Sequence, residues 1–181
     1  MSDERALLVV HLSRSSFSPM AVDCYTAALR ILHHRFNSEA ELRRKLRSKQ
    51  FEKTDVDATI ARLHKEKWLD DKRFAGAFVR TRANKRVGKL RIRRELQAAG
   101  VSEGTAAQAL TDNVDPEREG EAMRELCVKR ARVLVRRNGA EYLETEEAQT
   151  KLISYLLARG YDFALVREVV RDVALTGAES T

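Results

Sequence analysis

The sequence has 181 residues, of which 34% are charged and 43% hydrophobic, and its formal net charge at pH 7 is +7. These values are typical of a soluble globular chain and argue against a disordered one. The positive excess favours an anionic partner such as nucleic acid or an acidic protein surface, although a merely solvated basic surface has the same composition. Since only two prolines and eight glycines interrupt the chain, helices are expected almost throughout.

The N-terminal segment contains a short apolar run, LLVVHL, at residues 7–12. This run is too short for a signal peptide or a membrane span, so we expect residues 1–18 to form a flexible tail and expect no membrane partner. Cys24 and Cys127 lie within helical patterns and suggest no disulfide framework. We expect them to be reduced and buried, which favours a cytoplasmic protein.

Three segments of the chain share one spacing of apolar residues. Leu42 and Leu46, four residues apart, fall on one helical face, and a second such pair follows after a junction residue. The pattern returns twice, which predicts an internal repeat of helical hairpins. The matching sets are Leu42, Leu46, Phe51, Val56 and Ile60; Ile92, Leu96, Val101, Ala106 and Leu110; and Leu152, Leu156, Tyr161, Val166 and Val170.

The ends of these helices carry matching signals. Gly100 and Gly160 stand just before the junction residue, where a helix commonly ends in a left-handed conformation that favours glycine. Gln50 takes this position in the first segment, so its turn is expected to be less favourable. The predicted N-caps are Ser38, in a capping box with Glu41, and Ser102 and Asp162 before the later second helices.

A longer helix is predicted before each hairpin. Ser18-Pro19 and Asp115-Pro116 each place a capping residue before a proline at the first helical position. The sequence therefore predicts an all-α fold of three tandem three-helix repeats, at 19–70, 71–114 and 115–177, in an elongated or curved array. The predicted core stripes are Val22, Tyr25, Leu29 and Leu32; Phe74, Ala75, Phe78 and Val79; and Met123, Leu126, Cys127 and Leu134.

The charge is polarised along the chain. Residues 79–97 contain eight basic side chains and one acidic one, and residues 124–137 contain six and one. Residues 138–181 reverse the balance, with eight acidic and four basic side chains.

Two arginine pairs, at 43–44 and 93–94, occupy equivalent repeat positions and are expected to point away from the core. Guanidinium groups suit phosphates or carboxylates, and because acidic residues are few in this part of repeat two, we favour a binding surface over a solvated face. The candidate partner- or DNA-binding residues are Arg43, Arg44, Arg47, Arg86, Lys89, Arg91, Arg93, Arg94, Arg130, Arg136 and Arg137.

The sequence has no pattern of catalytic or metal-binding residues. It contains no Cys-x-x-Cys, no His-Glu-x-x-His and no glycine-rich phosphate loop, and nothing groups a nucleophile with a base. We therefore expect no enzyme activity, metal, cofactor or small-molecule substrate. Asp70 and Asp71 are predicted to cap the helix that follows them, and Trp68 to pack in the core rather than stack on bases.

The segment WLDDKRFAGAFV at 68–79, the glycine of KRVGKLRIRREL and the run GVSEGTAAQAL resemble the RecX family of bacterial recombinase regulators. The resemblance extends from about Ala27 to Asp172. It implies tandem three-helix units, in agreement with the repeat predicted from spacing. Two departures are Gln50 in place of a turn glycine and an insertion around NGAEYLETEE in the third unit. We expect the insertion to alter how that unit docks.

The resemblance implies a protein that binds RecA and restrains its filament on single-stranded DNA. It would thereby inhibit strand exchange, ATP hydrolysis by RecA and the coprotease activity of RecA in the SOS response. The arginine pattern leaves a second interpretation open, namely a helical module that binds single- or double-stranded DNA independently of RecA. A scaffold for another protein is a third. The resemblance transfers no particular binding residue.

Overall fold

The structure is a computed structural model that describes residues 22–176. Within this range the chain forms nine α-helices and one short 3₁₀ helix, with no strand. The predicted tail at 1–18 and the Ser18-Pro19 cap lie outside the described residues. The helices are α1 (Cys24–His34), α2 (Glu39–Ser48), α3 (Lys53–Lys65), α4 (Asp71–Asn84), α5 (Lys89–Ala98), α6 (Glu103–Asn113), α7 (Pro116–Asn138), α8 (Glu146–Arg159) and α9 (Phe163–Thr176), and the 3₁₀ helix is Ala140–Glu144.

Three separate hydrophobic cores follow the repeat. α1–α3, α4–α6 and α7–α9 each enclose one cluster of buried residues. Leu46, Leu96 and Leu156 are fully buried, one in each core. Equivalent sequence positions therefore have equivalent surroundings, and the predicted all-α fold of three-helix repeats is confirmed.

The insertion in the third repeat packs against its own repeat. It forms the 3₁₀ helix between α7 and α8, and Leu143 from this helix is buried in the third core. The 23-residue α7 begins at Pro116 with Asp115 as its N-cap, as the sequence predicts. The third core is the largest because α7 and the insertion both contribute to it.

The start of the first repeat differs from the prediction. α1 begins at Cys24, because the side chain of Asp23 accepts a hydrogen bond from the Thr26 amide at 2.8 Å and caps the helix there. Val22 therefore precedes the helix, and it is exposed rather than part of the predicted core stripe.

The hairpin turns have the predicted left-handed conformation. The φ angles are 84° at Gly100, 92° at Gly160 and 65° at Gln50, so the first repeat makes this turn without glycine. The glycines also meet a second requirement, which the sequence does not indicate. A Cβ atom on Gly100 would lie 2.3 Å from the Cβ of Ala40 in α2, so the preceding repeat could not approach as closely.

Candidate partner-binding surface

The second helices of the three repeats meet end to end. At the first junction, the buried hydroxyl of Ser38 at the start of α2 donates a hydrogen bond to the carbonyl of Ala99 at the end of α5. Arg44 also donates from Nη1 to the carbonyl of Ala98 at 3.4 Å. The last carbonyls of α5, which have no partner within their own helix, are satisfied by the preceding repeat.

The second junction repeats this geometry. The Gly88 amide donates to the carbonyl of Arg159 at 2.9 Å, and the Leu90 amide donates to the carbonyl of Gly160 at 3.1 Å. Arg91 donates from Nη1 to the carbonyl of Ala158 at 3.2 Å. Helices α8, α5 and α2 therefore follow one another head to tail, an arrangement that aligns their dipoles favourably.

The two aspartates before α4 have different roles. Asp70 caps α4 as predicted, since its Oδ1 accepts from the amides of Lys72 at 2.8 Å and Arg73 at 3.1 Å. Asp71 instead accepts from the Glu39 amide at 2.8 Å, at the start of α2. Burial raises the pKa of Asp71 above its usual range. The prediction that Asp71 caps its own helix is wrong, because the first turn of α4 lies beside the free amides of α2.

Arg43 is a structural residue rather than a free cation. Its Nε donates to Oε1 of Glu39 at 2.7 Å, and its guanidinium also pairs with Asp57. Hydrogen bonds to Glu39 and Asp57 raise the pKa of Arg43. The side chain is half-buried and joins α2 to α3. The repeat position predicts that this side chain points away from the core into solvent or a partner. In the structure it is instead held between two helices by its ion pairs.

The basic cluster of the second repeat has more acidic partners than the sequence suggests. Some of these partners come from α6 and α7, which are distant in sequence and close in the fold. The expectation of few acidic partners is therefore wrong. The ion pairs are Arg91 with Glu95 at 3.0 Å, Arg93 with Glu103 at 2.8 Å, Lys89 with Glu119 at 3.9 Å, and Arg86 with Glu125.

The remaining candidate binding residues are of two kinds, arginines without an ion pair and an arginine in a cation–π contact. Arg47, Arg94, Arg136 and Arg137 are exposed and make no hydrogen bond or ion pair with residues in the described part of the chain. The guanidinium of Arg130 lies over the ring of Tyr155, 5.6 Å from its centroid. We call the exposed residues Arg47 and Arg94, on α2 and α5, the free ridge arginines.

The prediction for Trp68 is wrong, because 60% of this residue is exposed. The next residue, Leu69, fills the core instead, and 3% of it is exposed. The two residues follow α3 in a turn, and the sequence alone does not reveal which one faces inward.

Neither a metal cluster nor a membrane-spanning helix occurs among residues 22–176. No group of three or more His, Cys, Asp or Glu side chains in this range could hold a metal ion. No helix there is long and apolar enough to cross a membrane. Cys24 and Cys127 are buried and free, as predicted, and burial raises the pKa of the Cys127 thiol to about 11.

These features place the chain among all-helical proteins built from tandem three-helix domains. Two family models match it, described as the first three-helix domain of RecX at residues 24–63 and the second at residues 70–110.

Relatives with the name "Regulatory protein RecX" extend the match over most of the chain. The protein of Cronobacter sakazakii is 33% identical over 156 residues, which cover 80% of this chain and 88% of that protein. The protein of Xanthomonas axonopodis is 36% identical over 145 residues, which cover 80% of this chain and 83% of that protein. The match to the Clostridium acetobutylicum protein, at 32% identity, covers 81% of this chain and 66% of that protein. The chain belongs to the RecX family of regulatory proteins.

A solved structure agrees on the fold. The crystal structure of RecX from Lactobacillus salivarius superposes with a TM-score of 0.70 at 24% identity. The superposition covers 84% of this chain and 95% of that one.

Proposed function

We propose that this chain binds RecA and its filament on single-stranded DNA and inhibits the recombinase, ATPase and coprotease activities of RecA. In this way it modulates recombination, DNA repair and the SOS response in the cytoplasm. The observation that carries the proposal is membership of the RecX family, through matches to both three-helix domains and to relatives along most of their length. The protein would act as a binding partner and not as an enzyme.

The arrangement of the repeats supports such a role physically. A filament offers the same surface many times, and three domains joined end to end can contact more than one copy. Binding at several weak contacts raises the overall affinity without a single tight site. Hydrogen bonds donated from the start of α2 to the end of α5, and from the start of α5 to the end of α8, join the domains end to end.

The direct test is the ATPase activity of RecA from the same organism on single-stranded DNA, measured with increasing amounts of this chain at two salt concentrations. We expect the ATPase rate to fall at or below one chain per RecA monomer. An ATPase rate that stays constant over a wide concentration range would contradict the proposal.

A second candidate function is DNA binding that does not depend on RecA. It is favoured by the free ridge arginines, Arg47 and Arg94, which are exposed and make no hydrogen bond or ion pair with an acidic side chain among the described residues. Both single- and double-stranded DNA are candidate ligands, since phosphate contacts alone do not distinguish them. DNA contact would also support binding to a filament.

A further inference from the structure

An open groove lies in the first repeat, at the C-terminal ends of α1 and α3 and the start of α4. Its volume is about 710 Å³, within the range of ligand sites in proteins. Leu29 and Leu32 contribute apolar surface to it, and Phe36 and Trp68 line it with aromatic rings. We call this feature the aromatic groove. It is separate from the free ridge arginines, which do not line it.

Both aromatic side chains of the groove are unusually accessible. Trp68 is 60% exposed and Phe36 is 56% exposed, whereas most large apolar side chains of this repeat lie in its core. Ligand sites in proteins are commonly grooves lined by apolar and aromatic side chains such as these. Neither ring is needed to fill the core, because that space is occupied by residues such as Leu63 and Leu69.

The backbone holds Trp68 in its outward position. Lys67 has a left-handed φ of 60°, and the amides of Trp68 and Leu69 both donate to the carbonyl of Leu63, at 2.9 Å and 3.3 Å. Because Leu69 is buried immediately after this turn, the neighbouring indole cannot turn inward without disrupting the core. The ring is therefore presented to solvent by a fixed turn.

The charge around the groove is positive. Glu66 is its one acidic lining residue, and this carboxylate already accepts hydrogen bonds from Tyr25 and Arg62. None of the basic lining residues makes an ion pair with an acidic residue in the described part of the chain. They are Arg30, Lys67 and Arg73, and all are exposed, as are the lining imidazoles of His33 and His34.

One of these cations is paired with an aromatic ring. The guanidinium of Arg73 lies 5.8 Å from the centroid of the Phe36 ring. Aromatic rings beside unpaired cations form the pattern that binds single strands, because bases stack on the rings and phosphates contact the cations. The bases of a duplex are already stacked on each other and cannot do so.

We propose that the aromatic groove binds single-stranded nucleic acid, with unpaired bases stacked on Trp68 and Phe36 and phosphates beside Arg30 and Arg73. The site goes beyond the proposed binding to RecA, and it differs from the second candidate function because it does not use the free ridge arginines and takes unpaired strands only. Charge complementarity favours this ligand. The cations of the groove make no ion pair, and its one carboxylate, Glu66, is already paired with Arg62, so the groove suits a polyanion that carries flat bases.

The test uses Trp68 as its own reporter, since it is the single tryptophan of the chain. Titration of the full chain with an oligo(dT) strand at low salt is expected to quench its fluorescence to a plateau. A duplex of equal length is expected to quench it much less. The affinity should fall when salt is raised, because phosphate contacts release counterions.

Variants then test the stacking contact, with binding measured by the anisotropy of a labelled oligo(dT) strand. Trp68→Ala is expected to weaken binding about tenfold, the scale of losing one stacked base, and Trp68→Phe to weaken it much less. Phe163→Ala is the matched control in the third repeat. That residue is 54% exposed and has an arginine guanidinium 5.8 Å from its ring, but it does not line the groove.

Four results would overturn the proposal. They are an absence of saturable quenching by oligo(dT), unchanged affinity in Trp68→Ala with circular dichroism showing a folded chain, equal weakening by Phe163→Ala, and a response of Trp68 fluorescence to RecA alone but not to oligo(dT). The last result would make the groove a protein-binding site. Failure of the RecA ATPase test leaves this experiment unaffected, so the two proposals can fail separately.

Discussion

Gly160 lies directly against Arg91 at the junction of the second and third repeats, so that a Cβ atom on the glycine would lie 2.2 Å from the Cβ of Arg91. Gln50 occupies the equivalent position of the first repeat, with a left-handed φ of 65°, and is exposed. Position 160 therefore needs glycine for two reasons: a side chain there would clash with Arg91, and its φ of 92° is left-handed.

Exchange of these two residues separates the two requirements. Gly160→Gln is expected to lower the free energy of unfolding by about 3 kcal/mol, from a left-handed cost of about 1 kcal/mol and a steric cost of 1–3 kcal/mol. Gln50→Gly is expected to change it by less than about 1 kcal/mol, because relief of strain is offset by greater freedom in the unfolded chain. Urea unfolding measures both. Equal and small effects would show that the repeat junction tolerates a side chain.

Ser38, the N-cap of α2, is expected to contribute more to stability than Ser102, the serine N-cap of α6. Its hydroxyl accepts from the Glu41 amide at 3.1 Å and also donates to the carbonyl of Ala99 in the next repeat. Ser102 caps the Thr105 amide at 3.2 Å from an exposed position. Ser38→Ala should cost about 2 kcal/mol and Ser102→Ala about 1 kcal/mol.

The comparison of the two serine variants by thermal unfolding also tests the first junction. If the two costs were equal, the bond from Ser38 to Ala99 would contribute nothing to stability. The predicted capping box is only half formed, because Oε2 of Glu41 pairs with Arg35 at 3.0 Å instead of returning to Ser38.

Asp71→Asn is expected to stabilise the protein at pH 7. Burial raises the pKa of Asp71 in the folded chain, so ionisation of this group opposes folding. The wild type therefore loses stability as the pH rises from about 3.8, the ordinary pKa, through the raised value. The amide variant keeps an oxygen that can accept from the Glu39 amide and avoids this loss.

Urea unfolding at pH 3.5 and pH 7 measures the Asp71 effect. The advantage of the Asp71→Asn variant should be present at pH 7 and small at pH 3.5. Asp71→Ala is the control, since it removes the acceptor and should destabilise the chain at both pH values. A lower stability of Asp71→Asn than of the wild type at pH 7 would contradict the expected cost of the buried charge.

Arg94→Ala and Arg93→Ala form a matched pair for the DNA-binding hypothesis. Both residues are exposed on α5, but Arg93 pairs with Glu103 at 2.8 Å, whereas Arg94 has no such partner among the described residues. If Arg94 contacts a phosphate, its removal should lower the slope of log affinity against log salt by about 0.7 for single strands. Arg93→Ala should change the slope less. Equal effects would argue against a special role for the free arginine.

The sequence predicted the repeat because its signal is local. Leu42 and Leu46 recur with the period of a helix, and left-handed turns follow from the residues at positions such as Gly100. The sequence did not predict the acidic partners of the arginines. Arg43 and Arg93 were predicted to be free cations. Their ion pairs with Asp57 and Glu103 depend on how the helices pack, which the sequence pattern does not show.

The sequence by itself determined three helical repeats, their buried faces and most of their caps, because each depends on residues within one or two helical turns. Only the tertiary structure decided which charges are neutralised, why Gly160 must be glycine beyond its φ angle, and that Leu69 rather than Trp68 enters the core. These outcomes depend on contacts between segments distant in the chain, and such contacts leave no periodic pattern in a single sequence.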